Sequence, residues 1–163
     1  MLKPISALWW ATTFAWAVLI FYLSTRTFGP DFTEGLLAGA FSILHIRVSW
    51  GTFSLVHLLL RKLAHITEYA IFALLLYGPS GEKDREFWRP RRAVFCILGA
   101  AAYSLTDEFH QLFVPGRTGS LGDCGLDTLG ASLAMLVPYS REHFFSGRSK
   151  PSLAACDPPR ELG

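Results

Sequence analysis

The stretch ALWWATTFAWAVLIFYL, residues 7–23, contains no charged residue and decides the class of this protein. A helix of about 20 residues crosses about 30 Å of hydrocarbon, so this run comes close to the length of a bilayer span. It is followed by Ser24-Thr25-Arg26 without a small-residue cleavage site, which favours a retained span over a signal peptide. The sequence therefore predicts a membrane protein.

The composition of the whole chain supports that class. Of its 163 residues, 51% are hydrophobic and 17% are charged, and the mean hydropathy is +0.32. An intrinsically disordered chain is excluded, because intrinsic disorder requires low hydrophobicity and high net charge. A net charge of +2 without a basic stripe does not indicate binding to nucleic acid. Three widely separated cysteines indicate neither a disulfide framework nor a zinc site.

Four apolar segments have the approximate length of membrane-spanning helices, so we expect an all-α helical bundle. They lie at residues 7–24, 58–77, 93–112 and 121–139. Between the first two, apolar residues recur at one-face helical spacing, which predicts an interfacial helix over residues 31–45, with a re-entrant segment as the alternative. Residues 1–139 then form one transmembrane domain. Residues 140–163, which contain Gly and several Pro, are expected to be a disordered cytoplasmic tail.

The basic residues predict the orientation of the bundle. With four spans, the N-terminus, the loop 78–92 and the tail share one side of the membrane. That side holds ten Lys and Arg, against three on the other side. Because short cytoplasmic loops are enriched in Lys and Arg, we expect a multi-pass protein of the cell membrane with both termini in the cytoplasm.

Ionisable side chains from three predicted spans fall in one layer, between the middle of the bilayer and its outer surface, at 1.5 Å per residue. Charged groups are costly in hydrocarbon and therefore face one another or a wet cavity. The members of the layer are Arg61, Lys62, His65, Glu68, Asp107, Glu108, Gln111, Asp123 and Asp127, with Arg117 in the connection above them. Helical spacing of three or four residues places the members within each helix on one face. The sequence predicts an outward-facing polar pocket.

Simpler interpretations of these residues stand beside the pocket. Arg61 and Lys62 could extend to the outer interface, as long cations near helix ends do. Asp123 is a candidate N-cap of the last helix. His110 is expected to pack in the core or at an interface rather than to bind a ligand. Glu68 has the fewest alternatives, because a carboxylate near the middle of a bilayer has few structural uses.

Two motifs resemble those of the VanZ-like membrane proteins. Residues 62–69, KLAHITEY, resemble the K-x-x-H-x-x-E-Y motif of that family. Residues 107–117, DEFHQLFVPGR, resemble its D-E-x-x-Q-x-x-x-P-x-R signature, and FYLS at 21–24 is similar to the end of its first helix. The resemblance covers residues 10–137 and implies a small multi-pass membrane protein. The name-giving member of the family is associated with low-level teicoplanin resistance.

The rest of the family pattern is matched with two departures. Asp123 and Gly130 fall where an aspartate and a later glycine of the family are expected. No proline closely follows Ser24, and Asp127 stands where the family usually has Asn. The second departure adds a carboxylate to the predicted pocket.

The first hypothesis for the function is an enzyme or binding protein that takes an anionic cell-envelope substrate, such as a lipid-linked phosphate or a peptidoglycan carboxylate. Arginine holds such groups bidentately, and a histidine oriented by a carboxylate such as Glu68 is suited to acid–base work. The catalytic candidates are His65, Glu68, Asp107 and Glu108. The substrate-binding candidates are Arg61, Lys62, Gln111, Arg117, Asp123 and Asp127.

Three other hypotheses remain. The pairs His65-x-x-Glu68 and Asp107-x-x-His110 are similar to the ligand sets of di-iron bundles, which makes a carboxylate metal site the second hypothesis. A transport or proton-linked role is the third, although the cytoplasmic half of the predicted spans is apolar. The fourth is a membrane scaffold for a partner protein, with buried ion pairs that are structural. Membrane lipids are expected partners, and the sequence leaves the cofactor, the metal and any protein partner open.

Overall fold

The computed structural model describes residues 4–25, 29–78 and 88–146. Within these ranges the protein has helices and no strand, which confirms the all-α class. The helices are α1 (Pro4–Leu23), α2 (Pro30–Ile43), α3 (Trp50–Tyr77), α4 (Pro90–Gln111), α5 (Leu121–Ala134) and α6 (Leu136–Ser146). None of these described helices is both long enough and apolar enough to cross a membrane. The four spans therefore stay a prediction.

Local sequence signals account for the ends of the helices. Pro30 and Pro90 occupy the first turns of α2 and α4, where the missing N–H has no helical partner to lose. Ser49 and Ser120 are the N-caps of α3 and α5, and the hydroxyl of each accepts a backbone N–H of the first turn. Helix α3 ends at Gly78, whose φ of 66° favours glycine.

The last predicted span is two helices instead of one. Helix α5 ends at Ala134 and α6 begins at Leu136. A proline ring clashes with the carbonyl four residues before it, and for Pro138 that carbonyl belongs to Ala134. The continuous helix expected over residues 121–139 is therefore wrong at this point.

Two further boundaries differ clearly from the expected ones. Helix α3 begins at Trp50, well before the expected residue 58. Helix α6 continues to Ser146, so the expected disorder is wrong for residues 140–146. The remainder of the tail, 147–163, lies outside the described residues, as does most of the loop 78–92. Helix α2 covers the segment predicted as interfacial, and its position at a membrane surface stays a prediction.

Helix α3 is the centre of the bundle, because it packs against α1, α4 and α5. Helix α5 runs parallel to it, with Asp123 beside Lys62 and Asp127 beside His65. A Cβ atom built on Gly130 would lie 2.4 Å from the carbonyl oxygen of Ile66, which no real Cβ atom tolerates. Gly130 thus permits the close approach of α5 to α3 at the level of the ionisable residues.

Helix α1 runs antiparallel to α3 and is attached to it by indole donors. Trp9 Nε1 donates to the carbonyl of Leu75 at 2.7 Å, and Trp16 Nε1 donates to the carbonyl of Glu68 at 3.1 Å. Each of these helical carbonyls thus accepts a second hydrogen bond. The two bonds align the C-terminal end of α1 with the first half of α3.

The exterior of the bundle is apolar and part of its interior is polar. Large apolar side chains point outward, among them Phe14 and Phe95, which are 72% and 73% exposed. The buried set includes Tyr69 and Phe72 in the middle of the bundle, and also the carboxylate of Asp127, which is 0% exposed. Large apolar side chains are thus more exposed, and charged side chains more buried, than is usual for a protein in water.

Candidate functional site

A cavity of about 130 Å³ lies between the C-terminal ends of α1 and α4, the start of α2, the middle of α3 and the connection after α4. We call it the polar pocket. Its polar lining residues are Ser24, Thr33, Arg61, His65, Glu68, Asp107, Gln111 and Arg117. Six of the ten residues predicted for the site are in this lining. The other four, Lys62, Glu108, Asp123 and Asp127, lie beside it, between α3, α4 and α5.

His65 is in contact with Asp127 from the facing helix. Its Nδ1 lies 3.3 Å from Asp127 Oδ1, and the other oxygen, Oδ2, accepts a hydrogen bond from the hydroxyl of Ser104 at 2.5 Å. Among the described residues, no ion pair joins His65 to Glu68. The carboxylate that can orient the imidazole is therefore Asp127, which projects across the helix interface, and not Glu68 from the same helix.

Three buried carboxylates share one pattern, in which one oxygen has a donor and the other has no hydrogen-bond partner among the described residues. Asp107 Oδ2 accepts from the Gln111 amide at 3.3 Å, and Glu108 Oε2 accepts from the backbone N–H of Ser120 at 2.6 Å. The third is Asp127, through Ser104. The atoms without a hydrogen bond are Asp107 Oδ1, Glu108 Oε1 and Asp127 Oδ1, and the last of these has only its ion-pair contact with His65 Nδ1. Buried polar atoms are rarely left in this state, so the pattern makes these carboxylates candidates for binding a further ligand or proton.

Glu68 lies where the polar pocket meets a second, apolar cavity. This apolar cleft, of about 350 Å³, follows α3 beside α1. Its lining residues are Trp16, Leu60, Leu63, Ala64, Thr67, Glu68 and Ile71. Ala64 and Glu68 line both cavities, so a polar compartment and an apolar one adjoin at these two residues.

Arg117 connects the polar pocket to the end of α1. Its Nη2 donates to the carbonyl of Leu23 at 2.7 Å and to that of Thr25 at 3.4 Å. Burial, followed by the nearby Arg61 cation, lowers the pKa of Arg117 below its ordinary value. Because helix C-termini leave carbonyl groups without partners, the Arg117 cation caps the C-terminal end of α1 and also lines the pocket.

The other two cations differ from each other. Lys62 pairs with Asp123, so both are placed beside the pocket in an ion pair of their own. Ser120 is the N-cap of α5, so the interpretation of Asp123 as that cap is wrong. Arg61 lines the pocket and has no ion pair among the described residues. Of the three predicted substrate-binding cations, Arg61 is therefore the one with the fewest structural contacts.

Sequence reasoning missed the hydroxyl groups around the site. Ser104 is the donor to Asp127, and it lies one helical turn before Asp107 on α4, a spacing that could have identified it. Thr33 lines the pocket from α2 and its hydroxyl lies 2.7 Å from Nε2 of His57. No local pattern indicates that contact, because it depends on how α2 folds back against α3.

One group of metal-ligand type exists among the described residues. Ligand atoms of His65, Glu108 and Asp127 all lie within 4.8 Å of one another. His110, the partner expected from the Asp107-x-x-His110 pair, instead packs its ring 4.5 Å from that of Phe21. The expected packing of His110 is thus observed, and among the described residues the ligand pairs expected from the di-iron comparison are not brought together.

The comparison with known families covers most of the chain. The family model described as VanZ/LLP1 matches residues 9–141, a range that contains the polar pocket and the apolar cleft. No curated protein and no solved structure matches the chain.

Proposed function

The chain belongs to the VanZ/LLP1 family, and from that premise we propose that it is a multi-pass membrane protein that binds a lipid-linked anionic substrate of the cell envelope. The head group occupies the polar pocket, and the lipid chain occupies the apolar cleft. The observation that carries the proposal is the junction of the two cavities at Ala64 and Glu68. An amphiphile is the class of ligand that fills adjoining polar and apolar compartments.

The exposed apolar surface supports a membrane location. Leu8, Phe14, Phe95 and Leu98 are each more than half exposed, and they lie on α1 and α4. In a bilayer these side chains contact lipid, whereas the buried carboxylates face the interior of the bundle. The excess of Lys and Arg in the N-terminus, the loop 78–92 and the tail supports a cytoplasmic position for both termini. The polar pocket then opens toward the outer leaflet.

The polar groups of the pocket support an anionic head group with hydroxyl or amide groups. Arg61 and Arg117 line the pocket, and a guanidinium binds a phosphate or carboxylate through two parallel hydrogen bonds. Glu68 and Asp107 accept hydrogen bonds from neutral donors on the same ligand. His65, held by Asp127, is placed to exchange a proton with the bound group. A contribution to glycopeptide resistance, as for the name-giving member of the family, belongs to the same proposal.

The junction of the cavities offers a direct test. In Ala64→Leu the added side chain fills the junction, whereas in the control Ala102→Leu it is added at an exposed site on α4. Native mass spectrometry of the detergent-purified full chain should show an anionic lipid on the wild type and on the control. We expect Ala64→Leu to retain about tenfold less, which corresponds to a loss of about 1.4 kcal/mol of binding free energy.

The anionic part of the ligand is tested separately. Arg61→Gln should lower retention by roughly tenfold or more, the usual effect of losing a charge-assisted hydrogen bond. The control is Arg91→Gln, because Arg91 is exposed on α4 outside the polar pocket, and this variant should retain the lipid as the wild type does. Equal retention in all four variants, or retention of neutral lipids alone, contradicts the proposal and favours a scaffold whose ion pairs are structural. Loss in Arg61→Gln without loss in Ala64→Leu indicates a soluble anion in place of a lipid.

A further inference from the structure

Beside the polar pocket, three ligand-type side chains converge from three different helices. His65 comes from α3, Glu108 from α4 and Asp127 from α5, and their ligand atoms lie within 4.8 Å of one another. Glu108 and Asp127 are 4% and 0% exposed. We infer that this cluster is a binding site for one divalent transition-metal cation, and this inference stands independently of the proposed lipid ligand. When the cation is bound, it replaces the contact between His65 Nδ1 and Asp127 Oδ1, so His65 is then a metal ligand and not a proton carrier.

The first support for the site is the set of atoms without hydrogen-bond partners. Among the described residues these include Nδ1 of His65, Oε1 of Glu108 and Oδ1 of Asp127, one atom from each ligand. A polar atom buried without a partner is costly, because it has lost its hydrogen bonds to water and gained none in return. A shared cation satisfies all three atoms at once, whereas the one contact at 3.3 Å between His65 and Asp127 leaves Glu108 Oε1 unsatisfied.

The second support is the way in which the two carboxylates are held. Asp127 Oδ2 accepts from Ser104 at 2.5 Å, and Glu108 Oε2 accepts from the backbone N–H of Ser120 at 2.6 Å. Carboxylates that bind metals are themselves oriented by such hydrogen bonds to their other oxygen. Each carboxylate therefore directs its remaining oxygen without help from its partner in the cluster.

The third support is distance. Protein ligands bind zinc at about 2.0–2.2 Å, so two ligands of one ion are at most about 4.4 Å apart. The separation of 3.3 Å between His65 Nδ1 and Asp127 Oδ1 already meets this limit. The full group, within 4.8 Å, meets it after a shift of a few tenths of an ångström.

The fourth support is charge. At this end of the bundle, five carboxylates (Glu68, Asp107, Glu108, Asp123 and Asp127) accompany three cations (Arg61, Lys62 and Arg117). With a neutral His65 and all five carboxylates ionised, the cluster and its surroundings carry an excess of two negative charges, which is costly in a low-dielectric interior. One divalent cation offsets that excess.

The ligand set favours a transition metal over calcium or magnesium. An imidazole with two carboxylates suits Zn²⁺, Mn²⁺ or Fe²⁺, whereas Ca²⁺ and Mg²⁺ prefer sites made of oxygen atoms alone. Three protein ligands also leave a coordination position for water or for a substrate oxygen, as in catalytic zinc sites. The polar pocket is the adjoining space, since His65 lines it.

The test is metal binding by the purified full chain in detergent after treatment with a chelator. Titration calorimetry with Zn²⁺ and with Mn²⁺ should show saturable binding of about one equivalent of at least one of them. Asp127→Asn should weaken binding by about tenfold or more. Asp31→Asn, an exposed aspartate in the first turn of α2 outside the cluster, is the matched control and should bind as the wild type does.

A second variant guards against loss of the fold. Ser104→Ala keeps all three ligands and removes only the hydroxyl that orients Asp127, so we expect affinity to fall by about 10–100-fold. Absence of saturable binding by the wild type, or wild-type affinity in both Asp127→Asn and Ser104→Ala, overturns the metal site. If the wild type binds metal but Arg61→Gln retains the anionic lipid as the wild type does, the metal site is correct and the lipid proposal is wrong.

Discussion

The two ends of the helical bundle are built in opposite ways. At the end that holds the polar pocket, the side chains between the helices include carboxylates, a histidine and arginines. At the other end, which we call the aromatic end, they are Trp9, Tyr77, Trp88 and Tyr139, with the guanidinium of Arg92 centred 5.0 Å from the ring of Tyr77. The same four helices, α1, α3, α4 and α5, run through both halves of the bundle.

The difference between the ends is clearest in their hydrogen bonds. At the aromatic end, polar atoms of the aromatic side chains form hydrogen bonds. The indole of Trp9 donates to the carbonyl of Leu75, and the hydroxyl of Tyr77 accepts from the backbone N–H of Arg89 at 2.9 Å. Buried atoms without partners instead concentrate on the residues of the polar end. They include atoms of Ser24, His65, Asp107, Glu108, His110 and Asp127. Unsatisfied buried groups lower stability, so a fold retains them where they serve a ligand.

The largest expected effect concerns the side of the membrane on which each end lies. In a chain whose native cysteines are replaced by serine, Thr118→Cys should react with an impermeant maleimide on intact cells. Arg91→Cys should react only after the cells are opened, because the basic residues of its loop predict a cytoplasmic position. Both positions are exposed, so burial does not separate them. The reverse labelling pattern would place the polar pocket in the cytoplasm.

The next effect separates a ligand site from a structural ion cluster. Glu68→Gln preserves the shape of the side chain and removes its charge, so the fold should survive. Retention of the anionic lipid should fall by about tenfold, because Glu68 lines both cavities. Glu34→Gln, on α2 outside both cavities, is the control. The measurements are thermal unfolding and lipid retention of each variant. Wild-type values for both in Glu68→Gln would mean that Glu68 has no role in binding the ligand.

A smaller effect tests how the polar end is assembled. Gly130→Ala places a Cβ atom against the backbone of Ile66, and should lower the free energy of unfolding by about 1–3 kcal/mol. Gly125→Ala, on the same helix with open space around it, should be neutral or stabilise the protein by about 0.5–1 kcal/mol. Denaturation of both variants in the same detergent is the measurement. Equal stabilities would mean that α5 and α3 are not in close contact.

The smallest effect belongs to the aromatic end. Tyr77→Phe removes the acceptor of the Arg89 backbone N–H and should cost about 1 kcal/mol of unfolding free energy, the usual net value of a hydrogen bond. Tyr139→Phe, which keeps the ring contact with Trp88, should cost less. Lipid retention should be unchanged in both, so a loss of retention would show that the two ends are coupled.

Much of the fold could be predicted from local patterns. Apolar runs and one-face spacing indicated helices over the regions of α1, α2, α3 and α4, because helix formation depends on residues three and four apart. The division between α5 and α6 was also readable in principle from Pro138, whose ring excludes a continuous helix. The extension of α6 to Ser146 was not, because the segment lacks a strong apolar period.

The sequence by itself determined that ionisable residues on α3, α4 and α5 occupy one level of the bundle, since depth along a helix follows from residue number. Only the tertiary structure decided which of them meet. Asp127 instead of Glu68 contacts His65, and Lys62 pairs with Asp123. The physical reason is that such pairs depend on the rotation and spacing of facing helices, and the spacing of α3 and α5 is set by the close contact of Gly130 with Ile66.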